Sequence, residues 1–261
     1  MQLLNHCDLD RLYLKTLGAG HKRIAITACD EKSGVSTMAM ALAQRHLLAG
    51  ASVLYVELNS FAPAMTALCD IGLDLENLES PETQATTETH QKSLKAAAQT
   101  HHLFTPMLVT SSIGDDVVTG VLAPQEQNHI LALRNPTTLA KQLDQLGKGF
   151  DAIVIDCAPL CSATVENHAN QGVPADLVAT VADATVVMIQ AGVTKAPHLK
   201  RSMQLLQQQN VTPAAMVMNN QHNPSLGQEL IRQAKRLERC LPKLSGWIQQ
   251  KINNSLLMLP L

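Results

Sequence analysis

The sequence has no long apolar run, and other absences restrict its function further. A membrane-spanning helix needs about 18 to 20 consecutive apolar residues, and none of the 261 positions begins such a run. The first residues contain no basic segment followed by an apolar stretch and a small-residue cleavage site, so we expect a cytoplasmic protein that is not exported. The six cysteines have no zinc-site spacing, which predicts buried free thiols instead of a zinc or disulfide framework.

Charge is unevenly distributed, although the net charge is only −2. From Lys195 to the end the chain has nine basic and two acidic residues, so the last quarter is basic and the rest is acidic. This asymmetry favours docking on an acidic partner or an anionic lipid surface. The alternative interpretation is a solvated helix face.

The last residues contain the only tryptophan of the chain, in a chain with 2% aromatic residues. Trp247, Ile248 and Ile252 recur at helical spacing opposite polar residues, which predicts an amphipathic helix over 241–261. Such a helix either lies on a membrane surface or docks on its own domain.

Short apolar, β-branched runs alternate with segments of helical periodicity. The runs predicted to be strands are 23–28, 52–58, 106–112, 151–158, 183–191 and 213–220. Because they are apolar on both faces, they predict an α/β fold with a mostly parallel β-sheet sandwiched by helices. The predicted organisation is an N-terminal helical segment (1–21), one α/β domain (22–240) and the C-terminal amphipathic helix (241–261).

Helices are predicted over 35–50 and 196–210, with stops near Gly50 and Asn210. Residues 80–93 are expected to form a surface loop or a helix start. Residues 114–129 are expected to form an irregular insert.

Residues 26–43, ITACDEKSGVSTMAMALA, lie between a predicted strand and a predicted helix, where a phosphate-binding loop would be built. In such a loop backbone N–H groups surround the phosphates, a lysine reaches the β and γ oxygens, and a hydroxyl ligates magnesium. Ser36 and Thr37 provide hydroxyls at the start of the helix. Val35 occupies the lysine position, so the architecture fits while the chemistry is incomplete.

These residues, with later segments, resemble the bacterial tyrosine kinases of capsule and exopolysaccharide assembly, which belong with the MinD/ParA group of partition and division-site ATPases among the P-loop ATPases. The family loop reads like ITSAxPGEGKST and its second motif like DxDxR. The second motif becomes Glu57, Asn59 and Phe61 in this chain. AIVIDCAP retains the third motif, DxxP, with Asp156. The likeness covers about residues 22–220, in the family's order and spacing.

The resemblance implies a nucleotide site with magnesium. Glu57 and Asp156 are the candidate catalytic carboxylates, and magnesium is assigned to Ser36 and Asp156. The residues assigned to nucleotide are Lys32, Ser33, Gly34, Val35, Ser36, Thr37 and Asn219. The structural alternative for each is ordinary: the hydroxyls cap the helix, the carboxylates contact loop amides, and Asn219 is a turn residue.

Two features of the kinases are missing. Their carboxyl-terminal tyrosine cluster has no counterpart, because the chain has only Tyr13 and Tyr55. Their amino-terminal ring-closing motif is represented by Asp8 and Arg11 at most, with Leu14 where a further arginine would be. Autophosphorylation on tyrosine is therefore not expected.

The leading hypothesis is a degenerate kinase-like protein, a pseudokinase, that acts as adaptor or regulator in surface polysaccharide biosynthesis or export. Its expected partner is a protein of the envelope assembly system, a membrane protein included, or a second copy of the chain. Nucleic acid is not expected. ATP or ADP with magnesium is expected to bind weakly, or not at all. The alternatives are an atypical MinD/ParA-like ATPase at the inner membrane, with Lys32 replacing the lost lysine, and a nucleotide-independent scaffold.

Overall fold

The computed structural model describes residues 6–61, 105–110, 117–122, 124, 126–161 and 172–220, with backbone alone at 6–7, 105–110 and 117. In these residues the helices are α1 (His6–Lys15), α2 (Val35–Leu48), α3 (Gln127–Leu133), α4 (Pro136–Leu146), α5 (Ala175–Val181) and α6 (Ala196–Gln208). The strands are β1 (Arg23–Ala28), β2 (Val53–Glu57), β3 (Thr105–Thr110), β4 (Val117–Leu122), β5 (Ala152–Asp156), β6 (Ala184–Gln190) and β7 (Ala215–Asn219).

The strands form one seven-stranded sheet in the order β3-β4-β2-β5-β1-β6-β7. β1 pairs in parallel with β5 and β6, and β2 pairs in parallel with β4 and β5. Only β3 is antiparallel to its neighbour among the pairings established here, and it lies at the edge of the sheet. The α/β fold with a mostly parallel sheet is therefore confirmed.

Helices cover both faces of this sheet. Ile24, Ile26 and Val154 point to the face where α1 and α2 pack, and their neighbours Ala25 and Ile153 point to the face packed by α3 to α6. Alternating residues of one strand thus enter two separate apolar cores. This explains why the strands are apolar throughout, which was the basis of the parallel-sheet prediction.

The six predicted strands are all present, with bounds that differ by at most a few residues. The predicted irregular insert at 114–129 is wrong, because it contains β4 and the start of α3. Gly120 interrupts the apolar run of β4, so the local pattern is weak. Pairing with β2 and β3 and the complete burial of Val118 and Val121 stabilise this strand instead.

Two predicted helix stops are confirmed by left-handed residues. Gly50 follows α2 with φ 83°, and Asn210 follows α6 with φ 57°. The predicted loop at 80–93 and the predicted helix at 241–261 lie outside the described residues. None of the helices described is long and apolar enough to cross a membrane.

An arginine of α2 contacts two side chains of α1, in addition to the apolar packing between these helices. Arg45 Nε lies 2.6 Å from Asp10 Oδ1, and its guanidinium stacks 4.6 Å from the centre of the Tyr13 ring. Asp8 and Arg11, which the resemblance assigns to ring closure, form an exposed ion pair with each other at 3.6 Å. An exposed pair of this kind contributes little to stability.

The described chain divides into two compact units. The first contains residues 6–189 and 196–217, and the second contains 190–195 and 218–220 of the described residues. Each is considered separately below.

Candidate functional site

The loop at residues 29–34 connects the end of β1 to the start of α2. Gly34 has φ 91° and forms the N-cap of α2, and Lys32 also has positive φ, at 57°. The Ser33 hydroxyl donates to the Asp30 carbonyl at 2.8 Å, which closes the turn from inside. A tight turn that opens directly into a 14-residue helix aims backbone N–H groups and the positive end of the helix dipole at one point.

The loop carries acidic groups that a phosphate site would not favour. Asp30 Oδ1 lies 2.6 Å from His198 Nδ1 on α6, while Glu31 and Lys32 are exposed. The only cationic side chain within the loop is therefore Lys32. Thr37 is exposed on the first turn of α2.

Val35, in the position of the expected lysine, contributes its side chain to the core between α2 and the sheet and is 8% exposed. No positive charge replaces it in the first turn of α2. A lysine would make charge-assisted contacts with phosphate oxygens, and valine makes none.

Beneath the loop, a buried polar cluster joins α2 to two strands. Glu57 and Asp156 are the last residues of β2 and β5 and are register partners, and both are fully buried. The Tyr55 hydroxyl donates to Asp156 Oδ2 at 2.8 Å. The Ser36 hydroxyl also hydrogen bonds within this cluster. The structure thus brings together three residues singled out in the sequence, Ser36, Glu57 and Asp156.

Tyr55 is the member of this cluster that the sequence interpretation missed. It lies two residues before Glu57 on β2, so the two-residue alternation of a strand places both side chains on the face that α2 covers. This periodicity was the available signal. A tyrosine at 1% exposure needs a partner for its hydroxyl, and the Asp156 carboxylate is that partner.

Burial raises the pKa of Asp156 from 3.8 to about 6, although the hydrogen bonds from Ser36 and Tyr55 oppose the increase. Burial, together with the adjacent Asp156 charge, also raises the pKa of Tyr55 well above its usual range. Tyr55 therefore remains a hydrogen-bond donor at neutral pH. Asp156 changes charge only slightly below neutral pH.

The donor atoms of the cluster fit a hard divalent cation in part. Asp156 Oδ1 is buried and has no hydrogen-bond partner, and the Ser36 hydroxyl and the Glu57 carboxylate lie in the same cluster. However, the described residues contain no group of three His, Cys, Asp or Glu side chains that could hold a metal ion. Phosphate oxygens and water would have to supply the remaining ligands of a magnesium ion here.

Asn59 and Phe61 occupy the positions of the second acid and the arginine in DxDxR. Asn59 is 8% exposed, and its side-chain oxygen has no hydrogen-bond partner among the described residues. Phe61 lies so close to Gly172 that a Cβ at Gly172 would be 2.7 Å from the ring. Arg134 donates to the Gly172 carbonyl from Nε at 3.0 Å and from Nη2 at 2.6 Å, which fixes this backbone.

Asn219, assigned to adenine by resemblance, ends β7 in the second unit. Its backbone carbonyl accepts a hydrogen bond from the Ala191 N–H at 2.9 Å. Its role toward a nucleotide stays a prediction.

Comparison with known proteins identifies the fold. No family model matches the chain, and no curated protein matches it. Among solved structures, the chimerical protein CapA2B2 is similar with a TM-score of 0.54 and 18% identity, over 81% of this chain and 82% of that one. The kinase domain of the Escherichia coli tyrosine kinase ETK is similar with a TM-score of 0.54 and 14% identity, over 80% of this chain and 71% of that one. The VpsO kinase domain is similar with a TM-score of 0.50 and 15% identity, over 82% of this chain and 96% of that one.

The chain has a P-loop ATPase fold. The resemblance to bacterial tyrosine kinase domains is confirmed at the level of this fold. Identities of 14% to 18% show the fold alone and carry no activity to this P-loop chain.

We expect Asp156→Asn to change how stability depends on pH. The pKa of the Asp156 carboxyl is about 6 in the folded protein and 3.8 in the unfolded chain. The wild-type carboxyl therefore stabilises the fold fully below pH 3.8, and this stabilisation is lost as the pH rises through about 6. The loss amounts to about 3 kcal/mol, at about 1.4 kcal/mol per pKa unit. Urea unfolding of both proteins between pH 4 and 8 should show the variant gaining relative stability by up to this amount.

Asp151, just before the same strand, is the matched control. Hydrogen bonds from the Ser52 N–H and hydroxyl lower the pKa of its exposed carboxyl. Its stabilisation is therefore present above its unfolded pKa and is lost as pH falls through its folded pKa. Asp151→Asn should consequently show a nearly constant stability relative to the wild type between pH 4 and 8, because this change lies below the unfolded pKa of 3.8. Parallel pH profiles for the wild type and Asp156→Asn would contradict the prediction.

Tyr55→Phe should destabilise the fold by about 1 to 3 kcal/mol at pH 8, because the buried carboxylate loses a donor. The loss should be smaller at pH 4, where Asp156 is protonated. Denaturant unfolding at the two pH values measures this difference. Tyr13→Phe, which keeps the ring that Arg45 stacks on, is the control and should have little effect. An equal loss at both pH values in Tyr55→Phe would refute the charge-dependent role.

Gly172→Ala should destabilise the protein by about 1 to 3 kcal/mol, because the added Cβ overlaps the Phe61 ring. Gly149→Ala adds the same methyl group where no atom lies within 4 Å. The melting temperatures of the two variants compare a position where the added methyl group meets a side chain with one where it meets none. Equal melting temperatures would show that Phe61 does not pack on Gly172 in solution.

Proposed function

We propose that this chain is a degenerate, tyrosine-kinase-like P-loop protein that acts as an adaptor or regulator in surface polysaccharide biosynthesis or export. The observation that carries the proposal is the 2.8 Å hydrogen bond from the Tyr55 hydroxyl to Asp156. The carboxylate that the resemblance assigns to magnesium is engaged by a side chain of the protein itself. The fold shared with the ETK and VpsO kinase domains supports the choice of protein class.

The residues around this hydrogen bond do not provide the charges that phosphoryl transfer needs. Transfer depends on cations that neutralise charge as it develops on the phosphoryl oxygens. Val35 is apolar and buried, Asn59 carries no charge, and Phe61 packs on Gly172. Positioning and electrostatic stabilisation, the two contributions that make such enzymes fast, are therefore both weakened.

Weak nucleotide binding is compatible with what remains. The loop amides and the N-terminus of α2 attract a phosphate group, and the Ser36 hydroxyl lies at the first helical turn. ADP or ATP would bring magnesium, which supplies positive charge next to the phosphates. Asp156 can ligate that ion through Oδ1, which has no hydrogen-bond partner, while Tyr55 retains Oδ2.

The partner expected for such an adaptor is a protein of an envelope polysaccharide assembly system. The adaptor would bind it through a docking surface inherited from an active relative. A cytoplasmic location with peripheral contact at the inner membrane accompanies this proposal. The membrane contact depends on the basic, amphipathic segment at 241–261, which lies outside the described residues.

An ATPase of the MinD/ParA type is the second candidate, and the position of Lys32 favours it. Lys32 is exposed and is the only cationic side chain of the loop, so its ammonium would be the group that approaches a bound phosphate. ATP-dependent dimerisation that Lys32→Ala abolishes would establish this candidate over the adaptor.

Calorimetric titration with ADP and ATP, with and without magnesium, tests the leading proposal. The wild type should bind weakly, and Ser36→Ala should weaken binding further because the hydroxyl beside the ion is lost. Val35→Lys should tighten binding about 10-fold to 100-fold, since a hydrogen bond to a charged group contributes about 1.5 to 3 kcal/mol.

Thr37→Ala is the matched control, because Thr37 is the adjacent hydroxyl and is exposed on the helix. It should leave the affinity unchanged. Binding by Val35→Lys but not by the wild type would favour a nucleotide-independent scaffold. ATP turnover by the wild type at the rate of an intact tyrosine kinase domain would disprove the pseudoenzyme proposal.

A further inference from the structure

Cys29 and Cys161 lie side by side at the base of the loop. Cys29 follows the last residue of β1, and Cys161 lies five residues beyond the end of β5. These two strands are neighbours in the sheet. The Cys161 N–H donates to the Cys29 carbonyl at 3.1 Å. This hydrogen bond brings the two backbones together, as a disulfide requires, since its Cα atoms lie about 4.4 to 6.8 Å apart.

The two thiols also point toward the same atom. The hydroxyl of Ser202 on α6 donates to Cys161 Sγ at 3.4 Å, and the Cys29 thiol hydrogen bonds with the same Ser202 side chain. Both cysteines belong to the core between the sheet and α3 to α6, on the face opposite the Asp156 cluster. Both thiols therefore lie beside the Ser202 side chain, which places them in the same part of the core.

A second contact holds α6 over this pair. His198, one turn before Ser202, lies 2.6 Å from Asp30, the residue after Cys29. Two side chains on one face of α6 thus fix consecutive residues at the start of the loop. The relative positions of the two thiols are consequently set by packing and by hydrogen bonds on both sides.

Cys157 provides an internal comparison. It is equally buried, at 1% exposure, and lies in the same segment between β5 and Cys161. Its thiol is directed to the Ile155 carbonyl at 3.7 Å and not to Ser202. Burial in this core is therefore shared by three cysteines, while convergence on Ser202 is specific to two.

We propose that Cys29 and Cys161 form a reversible disulfide when a hydroperoxide oxidises the protein, and that this bond fastens the start of the phosphate loop to the segment after β5. It is independent of the proposed adaptor function, because it requires neither a nucleotide nor a partner.

The chemistry takes two steps and consumes one peroxide. The Cys161 sulfur, with 6% exposure against 0% for Cys29, attacks one peroxide oxygen. The O–O bond breaks, Cys161 becomes a sulfenic acid, and the thiol proton leaves with the other oxygen as an alcohol, or as water when the oxidant is hydrogen peroxide. The Cys29 sulfur then attacks the Cys161 sulfur, the S–O bond breaks, and a water forms with the Cys29 proton.

This order agrees with the environments of the two thiols. Burial raises the pKa of the Cys29 thiol, so it is a poor first nucleophile. As the second reactant it needs only to reach an adjacent sulfenic acid.

The disulfide closes a covalent loop of more than 130 residues, and such a cross-link restricts the unfolded chain strongly. It also restrains the residue from which the loop begins, so oxidation is expected to stiffen the loop itself.

The test is a peptide map of the full chain after treatment with hydrogen peroxide. Free thiols are alkylated, and the protein is digested without reductant and analysed by mass spectrometry. We expect a linked peptide pair containing Cys29 and Cys161, a mass lower by two hydrogens, and loss of the link after dithiothreitol. We also expect the oxidised wild type to melt at a higher temperature than the reduced protein.

Cys161→Ala should abolish the link, and Cys157→Ala, the matched control, should preserve it. The map of the wild type decides the question even if a variant folds poorly. Full alkylation of Cys29 and Cys161 after peroxide, overoxidation of either without a link, or a link from either to Cys157 or to a second chain would each overturn the proposal.

Discussion

The carboxyl of Asp156 is fully buried at the end of β5, and the organisation of the site follows from the need to stabilise it. A buried carboxylate is unfavourable unless donors surround it. Tyr55 from β2 and Ser36 from α2 supply those donors, and they join the two strands to the helix that follows the loop. In an active P-loop enzyme a magnesium ion with its phosphates would perform this task. Here side chains of the protein perform part of it, because Tyr55 donates to Oδ2 while Oδ1 has no hydrogen-bond partner.

The two faces of the sheet have separate roles at this end. The face under α2 holds the carboxylates, and the face under α6 holds the thiols. Both meet the same short loop, because β1 lies between β5 and β6 and ends where the loop begins. The buried carboxylates and the thiols therefore lie next to the same loop, on opposite faces of the sheet. The loop is held by Ser33 inside and by His198 outside, so it is positioned even though it lacks its lysine.

Much of the fold could be predicted from the sequence, since runs such as Arg23–Ala28 are apolar on both faces, which is typical of covered parallel strands. The meeting of Ser36, Glu57 and Asp156 was also predictable, because parallel strands end at the same edge. The strand at Val117–Leu122 was not, since its glycine weakens the local pattern and its stability comes from pairing with distant residues. The Tyr55 contact and the Cys29–Cys161 pair depend on residues more than 100 positions apart, and local periodicity contains no such information.

The hydrogen bond between Tyr55 and Asp156 also bears on how the protein could evolve. A single mutation that returned a lysine at Val35 would restore attraction for phosphate, but the carboxylate would still be engaged by the phenol. A single loss of the phenol would leave a buried charge with fewer donors and no lysine to exploit the opening. Neither change alone would restore catalysis, and loss of the phenol would also lower stability, so selection would rarely retain either until the other arose. Under the proposed function, the tyrosine would therefore make catalysis easier to lose than to regain.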